Sequence, residues 1–208
     1  MATYVLIHGA ADSGASWGRV ASELEARGHR AVAPDLPCDD ESAGWEEHFE
    51  AVRDAVGDAD DLRVVGHSLG GFTATLVCAR MRAESLTFVA GMVPAPGETV
   101  REWSAAVNPP DMPEDPVEAF LQDLPPEQAA EALAQERPQV AKAMGEPLPI
   151  DEWPAVPTHY LLCRDDNCFP ADWARAMARD RLGVEADEID GGHCPFLSRP
   201  TELAEYLA

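Results

Sequence analysis

A ten-residue stretch, Leu62 to Gly71, places the strongest constraint on how this chain can fold. It reads Leu-Arg-Val-Val-Gly-His-Ser-Leu-Gly-Gly, a short apolar run followed by a serine between glycines and then by a helix-like segment. The pattern predicts a strand, a sharp turn with Ser68 at its apex, and a helix. Glycines on both sides let neighbouring backbone approach the turn without a Cβ clash. The five-residue pattern Gly-x-Ser-x-Gly, here Gly66 to Gly70, arises by chance in roughly one chain of this length in fifteen. The rest of the sequence must therefore indicate what the serine does.

Apolar runs elsewhere in the chain repeat this alternation of strand and helix. The runs predicted to be strands span residues 3–8, 30–34, 62–67, 85–93, 158–163 and 184–189. Continuous apolar runs are typical of strands that are buried on both faces. Alternation with helices on this scale indicates right-handed crossovers. We therefore predict an α/β fold with a six-stranded, mostly parallel sheet and helices on both of its faces.

Residues 95–153 interrupt the alternation. They contain ten of the eighteen prolines and thirteen acids against three bases, with no strand-like run. Short helices that begin with proline fit this composition. We expect a small helical lid inserted after the fourth strand, within a single domain that spans residues 1–208. The alternative is a disordered acidic linker, which the apolar faces of this segment disfavour.

The charge and the cysteines limit the partners of the protein. The formal net charge is −23, from 38 acids and 15 bases, so we predict that it binds neither nucleic acid nor anionic membranes. The same field disfavours anionic substrates. No run of apolar residues is long enough for a membrane span and no signal segment precedes the first strand, which predicts a cytoplasmic protein. Five cysteines without metal-binding spacing indicate free thiols and no metal site.

Two further residues have the chemistry that a reactive serine requires. A serine hydroxyl near neutral pH needs a base, a carboxylate that orients the base, and donors for an oxyanion. Asp165 and Asp166 follow the fifth predicted strand, and His193 lies past the last strand in a loop after two glycines. Carboxyl ends of parallel strands meet at one edge of a sheet. The order serine, acid, histidine therefore predicts a catalytic triad in which one of the two aspartates serves His193.

These motifs together resemble the α/β-hydrolase superfamily, and within it the branch of plant methylesterases and hydroxynitrile lyases. The resemblance rests on Val5 to Ala10, Trp17, the turn around Ser68, Asp166 with Pro170, and Gly192-His193. It implies a sheet that lacks the first two strands of the full superfamily sheet. It also selects Asp166 over Asp165, because the family places a proline four residues after the acid.

The resemblance assigns further roles near the serine. The backbone N–H groups of Ala10 and Leu69 would form the oxyanion hole, Gly9 would let substrate approach closely, and His8 would hold the oxyanion loop. His67 is expected to be a packing residue of the turn. Hydroxynitrile lyases of this branch carry a lysine after the catalytic histidine and a threonine at the position of Gly9. This chain has Cys194 after the histidine, so the pattern favours an esterase over a lyase.

The sequence thus predicts a serine hydrolase that forms an acyl-enzyme. Its substrate would be a small to medium, largely apolar carboxylic ester, lactone or thioester, and it would need no cofactor. Candidates for lining the pocket, equally explained by packing at the lid, are Trp103, Phe120, Trp153 and Phe196. A biosynthetic enzyme that uses the triad for acid/base cyclisation, elimination or C–C cleavage remains an alternative, as does a small-molecule-binding protein. A homodimer also stays open.

Overall fold

A single parallel sheet organises the molecule. The computed structural model describes residues 1–140 and 142–208. The strands are β1 (Thr3–Ile7), β2 (Arg30–Val32), β3 (Leu62–His67), β4 (Ala83–Val89), β5 (Thr158–Cys163) and β6 (Asp187–Ile189). They lie in the order β2-β1-β3-β4-β5-β6, and each neighbouring pair is parallel. The predicted six-stranded α/β sheet is confirmed.

Helices cover both faces of this sheet. Those next to the strands are α1 (Gly18–Ala26), α2 (Trp45–Val56), α3 (Gly70–Arg80), α8 (Ala171–Leu182), α9 (Pro195–Ser198) and α10 (Pro200–Leu207). Between β4 and β5 lie α4 (Val100–Val107), α5 (Pro116–Phe120), α6 (Pro126–Ala134) and α7 (Lys142–Gly145). Side chains of α2, α3 and α8 pack in one core, and those of α1, α9 and α10 pack in the other. Among the helices of the described residues, none combines the length and apolar character that a membrane crossing needs.

The continuous apolar strands explain this two-sided cover. Successive side chains of a strand point to opposite faces of the sheet. In β1, Val5 and Ile7 belong to the core with α2 and α3, whereas Tyr4 and Leu6 belong to the core with α1 and α10. All of β1 is buried. Because both faces need apolar residues, the strand shows no polar alternation, and helices must cover each face.

We call residues 95–153 the insertion. Its helices begin as their sequences predict: Pro116 and Pro126 occupy the first turns of α5 and α6, and Thr99 caps α4. The insertion also contacts the helices of the sheet. The indole of Trp45 on α2 donates a hydrogen bond to the carbonyl of Glu146 at 3.0 Å, and Trp103 is buried in the same core as α2 and α3.

Four strands are shorter than their sequences suggested; the first ends at Ile7 and not at residue 8, and the second ends at Val32 and not at residue 34. The fourth ends at Val89 and not at residue 93, because Ala90 has a φ of +42° and the N–H of Met92 donates to the carbonyl of Ser68 at 2.9 Å. This segment crosses over the turn that carries the serine. The last strand covers only Asp187–Ile189, since it pairs with β5 only from Leu161 to Cys163.

Candidate active site

Ser68 lies at the tip of a tight turn between β3 and α3. Its φ is +48°, in the left-handed region that non-glycine residues rarely adopt. Its carbonyl accepts the N–H groups of Gly71 at 3.1 Å and Met92 at 2.9 Å, which holds the turn from two sides. The residue is half-buried and lines a cavity at the carboxyl edge of the sheet. The turn therefore presents the hydroxyl group to that cavity.

The glycines around Ser68 are required by close packing. A Cβ added to Gly66 would lie 2.7 Å from the Cβ of Ala74 on α3. A Cβ on Gly70 would collide with the carbonyl oxygen of His8, at the end of β1. Helix α3 can thus approach both β3 and β1 only with glycine at these two positions.

His193 and Asp166 form a buried hydrogen-bonded pair beside the same cavity. The Nδ1 atom of His193 lies 2.8 Å from Oδ2 of Asp166, and the residues are 2% and 4% exposed. The other carboxylate oxygen, Oδ1, accepts the backbone N–H groups of Cys168 at 2.7 Å and Phe169 at 2.9 Å. With both carboxylate oxygens bonded, the imidazole keeps its proton on Nδ1 and leaves Nε2 as a proton acceptor.

The neighbouring aspartate takes no part in this pair. Asp165 is exposed, and its backbone N–H donates to the carbonyl of Gly191 at 3.0 Å. Asp166 is the aspartate that the structure brings to His193. The loop after β5 makes this choice, because its backbone donors surround Asp166 alone.

Two backbone donors meet at the cavity near Ser68. Ala10, after β1, and Leu69, before α3, both line the cavity together with Ser68 and His193. Within residues 1–140 and 142–208, neither amide donates to a protein acceptor. The amide of Leu69 also lies at the amino end of α3, where the helix dipole favours negative charge. Both N–H groups are therefore free to bind an oxyanion.

His8 orients the loop that carries Ala10. Its Nε2 accepts the N–H of Leu36 at 2.9 Å, so Nδ1 must carry the proton, which it donates to the carbonyl of Gly9 at 2.8 Å. That carbonyl and the N–H of Ala10 belong to one trans peptide unit and point in opposite directions. Burial lowers the pKa of His8, which favours the neutral ring. Fixing the Gly9 carbonyl thus aims the Ala10 N–H.

His67 joins the turn of the serine to the loop of the histidine. Its Nε2–H donates to the backbone carbonyl of His193 at 2.9 Å, while its buried Nδ1 has no partner among the described residues. Burial lowers the pKa of His67 well below its usual range, so the ring is neutral. A Cβ on Gly9 would lie 2.9 Å from Nδ1 of His67 and 3.0 Å from Cβ of Ser68. Sequence reasoning had assigned His67 to packing and missed this contact.

The cavity has a volume of about 1060 Å³ and two kinds of wall. Its apolar wall comes largely from the insertion and from the loops after β5 and β6. The members of that wall include Leu69, Met92, Val100, Phe120, Leu121, Leu124, Met144, Phe169 and Phe196. Polar residues of α1 and α6 line another part, namely Arg19, Ser22, Glu23, Gln128 and Glu131. No local pattern points to this second group, since residues of α1 and α6 come to the same cavity only in the folded chain.

The aromatic residues proposed for the pocket divide into two pairs. Phe120 and Phe196 line the cavity, and the ring of Phe120 lies 5.4 Å from that of His193. Trp103 and Trp153 lie elsewhere. Trp103 packs edge-on against Phe169 and Trp173, and Trp153 stacks on Phe88 at 6.3 Å, so both tryptophans belong to the core.

A three-residue group in this site has the composition of a metal centre. Atoms of Asp166, Cys168 and His193 that could bind an ion lie within 4.8 Å of one another. The aspartate and the histidine already bond to each other. Burial raises the pKa of the Cys168 thiol to about 12, whereas a metal ligand must be a thiolate. The group therefore suits an acid–base pair better than a metal.

Comparison with known proteins agrees with this geometry. A family model described as the alpha/beta hydrolase family matches residues 4–206. The chain belongs to the alpha/beta hydrolase family. It is 28% identical to Methylesterase 3 of Arabidopsis thaliana, with 98% of this chain and 93% of that protein covered. It is 27% identical to the Pyrethroid hydrolase of Sphingobium wenxiniae, with 98% and 85% covered.

The same relationship holds among solved structures. An extracellular alpha/beta-hydrolase from a Paenibacillus species superposes with a TM-score of 0.83 at 24% identity, covering 99% of this chain and 97% of that one. At this identity the likeness shows the fold. The family and the methylesterase relatives confirm the predicted resemblance and make this alpha/beta hydrolase an enzyme of the hydrolase class.

Proposed function

We propose that this alpha/beta hydrolase cleaves a small to medium, largely apolar carboxylic ester, lactone or thioester through an acyl-enzyme on Ser68. The observation that carries the proposal is the buried 2.8 Å contact between His193 and Asp166, beside the cavity that Ser68 also lines. Relatives named methylesterases and esterases support the same reaction class.

The first step is attack of the Ser68 hydroxyl on the substrate carbonyl carbon. Nε2 of His193 takes the hydroxyl proton as the new C–O bond forms. Asp166 keeps the other ring proton on Nδ1 and stabilises the imidazolium that results. Because Oδ1 of the carboxylate accepts two backbone N–H groups, the carboxylate is fixed in direction.

The negative charge on the carbonyl oxygen is bound by the N–H groups of Ala10 and Leu69. His8 fixes the direction of the first of these donors, and the amino end of α3 adds a favourable dipole to the second. One such donor contributes about 10²- to 10³-fold to the rate. The donors are in place before substrate arrives, so no backbone rearrangement opposes the reaction.

The acyl-enzyme then forms and hydrolyses. His193 gives its proton to the leaving alkoxide or thiolate, and the acyl group stays on Ser68. Water attacks the acyl carbon while His193 takes a proton from it. The second oxyanion then collapses, the bond between the Ser68 oxygen and the acyl carbon breaks, and His193 returns its proton to Ser68 as the acid leaves and ionises to the carboxylate. The negative field of a protein with a net charge of −23 favours departure of this anionic product.

The cavity suggests which esters fit. A volume of about 1060 Å³ exceeds what a methyl ester of a small acid fills, and the wall near Phe120 and Phe196 is apolar. We propose that residues 95–153 act as a lid that supplies much of this wall within a single-domain enzyme.

Burial raises the pKa of Cys194 well above its usual range, so the residue after His193 is neutral and lacks the cation that a cyanide-releasing lyase needs. We propose a cytoplasmic location and no metal or other cofactor.

A series of p-nitrophenyl esters of increasing acyl length, together with lactones, tests the proposal on wild type and Ser68→Ala. We expect turnover by wild type with a maximum at intermediate length. Ser68→Ala should lower kcat by about 10⁴-fold or more. A kcat of Ser68→Ala equal to that of the wild type would exclude an acyl-enzyme on Ser68. Absence of ester and lactone cleavage by wild type would favour acid/base chemistry or binding at the same site.

A further inference from the structure

Two adjacent residues of the insertion contact the loops that carry His193 and Asp166. Nε2 of Gln122 donates to the backbone carbonyl of Asp165 at 2.6 Å, and Oδ2 of Asp123 accepts the backbone N–H of Gly192 at 2.8 Å. Asp165 directly precedes Asp166, and Gly192 directly precedes His193. Each contact is therefore one residue away from a member of the acid–base pair.

These contacts explain why two glycines precede His193. Gly191 has a φ of +107°, which by itself requires glycine. Gly192 has no such conformation, yet a Cβ there would lie 2.6 Å from Nε2 of Gln122. A Cβ on Gly191 would also lie 2.7 Å from Oδ2 of Asp123. The second glycine thus lets the Gln122 amide reach the Asp165 carbonyl without being displaced by a Cβ.

The two loops also bond to each other beneath these side chains. The N–H of Asp165 donates to the carbonyl of Gly191 at 3.0 Å. With Gln122 and Asp123 this completes a closed set of hydrogen bonds, which we call the loop clamp. It consists of Gln122, Asp123, Asp165, Gly191 and Gly192. Each of these two side chains reaches the loops through a single atom, Nε2 of Gln122 and Oδ2 of Asp123.

We propose that Gln122 and Asp123 are positioning residues that hold His193 and Asp166 in register when the insertion is docked. Leu121 and Leu124, which flank them, line the substrate cavity. Residues 121–124 therefore both line the cavity and hold the loop that carries His193. The catalytic meaning of this clamp rests on the proposed function, but the coupling between clamp and acid–base pair does not.

The direct test compares Asp123→Ala with Asp123→Asn, whose amide oxygen can still accept the Gly192 N–H. The matched control is Glu127→Ala, an exposed change on α6. Three quantities are measured: the downfield proton resonance of His193 Nδ1–H in its bond to Asp166, kcat and KM for a p-nitrophenyl ester, and Tm. We expect Asp123→Ala to broaden or shift the resonance and to lower kcat by about 10- to 100-fold, with KM within about threefold. Asp123→Asn and the control should retain the wild-type resonance and kcat within about threefold.

A second experiment uses the close approach at Gly192. The Cβ of Gly192→Ala should displace the Gln122 amide from the Asp165 carbonyl, so its loss of kcat should match that of Gln122→Ala. The double variant should be no worse than either single variant, because both changes remove the same contact. Additive losses would contradict a shared clamp.

The outcomes separate this proposal from the proposed function. An unchanged resonance and kcat in Asp123→Ala would overturn the positioning role. If Asp123→Ala fails to fold, the cycle of Gly192→Ala and Gln122→Ala decides in its place. A resonance that responds as expected, in a protein that cleaves no ester, would support the clamp while removing the esterase.

Discussion

Ser68 combines backbone strain with a half-buried position beside the cavity. A left-handed conformation costs a non-glycine residue about 1–3 kcal/mol, and Ser68 has a φ of +48°. Hydrogen bonds from Gly71 and Met92 to its carbonyl offset part of this cost. Strain at a single polar residue that faces a cavity is typical of functional positions. The proposed nucleophile is thus also a residue whose backbone conformation is held by the surrounding packing.

The contrast between Asp165 and Asp166 gives a matched pair of variants. In Asp166→Asn, the amide oxygen can keep the N–H bonds from Cys168 and Phe169, which turns its NH₂ group toward His193. The ring must then accept at Nδ1 and protonate at Nε2, so it cannot take the serine proton. We expect kcat to fall by about 10⁴-fold, the loss known for this change in trypsin-like enzymes. The kcat of Asp165→Asn should stay within about twofold of the wild-type value. Steady-state kinetics on one ester measures both, and equal losses would contradict the assignment.

At the residue scale, local patterns predicted the candidate triad residues and did not predict the contacts that hold them in place. Ser68 lies in a motif whose turn is fixed by nearby glycines, and His193 follows a strand end, so both could be predicted. Trp103 and Trp153 could not be assigned, because an aromatic residue of the insertion faces either the core or the cavity according to how the insertion docks. The contact from His67 to the carbonyl of His193 depends on a loop 126 residues away.

A buried histidine on helix α2 makes the free energy of unfolding depend on pH. His48 is 3% exposed, its ring lies edge-on to Trp45, and its Nδ1 is 3.4 Å from Oγ1 of Thr73. Burial lowers the pKa of His48 to about 4. An unfolded histidine titrates near pH 6.5. Between these values the unfolded chain binds a proton that the folded chain excludes, so stability falls as the pH falls through this window.

His48→Gln should make the free energy of unfolding less sensitive to acid. Glutamine keeps a polar contact for Thr73 and does not titrate. Between about pH 7 and about pH 5, wild type should lose about 2 kcal/mol more than the variant, at roughly 1 kcal/mol per pH unit below 6.5. Urea unfolding at each pH measures the difference, and carboxylates shared by both proteins cancel. Parallel pH curves for the two proteins would show that His48 does not carry this dependence.

The elements themselves were largely predictable, and their ends were not. Continuous apolar runs identified β1, β3 and β5 because both faces of these strands are covered. The sequence around Ala90 to Val93 is equally apolar, yet it leaves the sheet to cross over Ser68. Apolar character records burial and does not distinguish a strand from a buried turn.

At the scale of the whole molecule, the electrostatic field of its net charge acts over the longest distance. The net charge of −23 is spread over a small protein, and the cavity lining repeats this imbalance. Its acids include Asp12, Glu23, Glu131 and Glu136, whereas Arg19 is the single arginine or lysine among the described lining residues. An anionic substrate therefore meets an unfavourable potential both at long range and at the cavity.

A neutral ester and a matched ester with a carboxylate on its acyl chain should show this preference. At low salt we expect kcat/KM to be about tenfold higher for the neutral ester. The ratio should shrink as salt is raised toward about 1 M, where the Debye length falls to about 3 Å. Glu131→Gln should lower the ratio of kcat/KM for the neutral ester to kcat/KM for the anionic ester at low salt. A ratio that does not change with salt would assign the preference to shape alone.

Whole-molecule contacts were the part of the site that no local pattern could predict. Gln122 and Asp123 lie about 70 residues from Gly192 and read as ordinary polar residues of an acidic segment. Only the docking of the insertion brings them beside the glycines. The polar wall from α1 and α6 has the same origin, because those helices are more than 100 residues apart and meet at the cavity.

The central claim is that Ser68 becomes acylated during turnover. Rapid mixing of the enzyme with a p-nitrophenyl ester, acid quenching and intact-mass measurement test it, followed by peptide mapping. We predict a mass increase equal to the acyl group on the peptide that contains Ser68, absent from Ser68→Ala and lost as the ester is consumed. Ester turnover by a wild-type enzyme that carries no adduct, or carries it on another residue such as Cys194, would contradict the account.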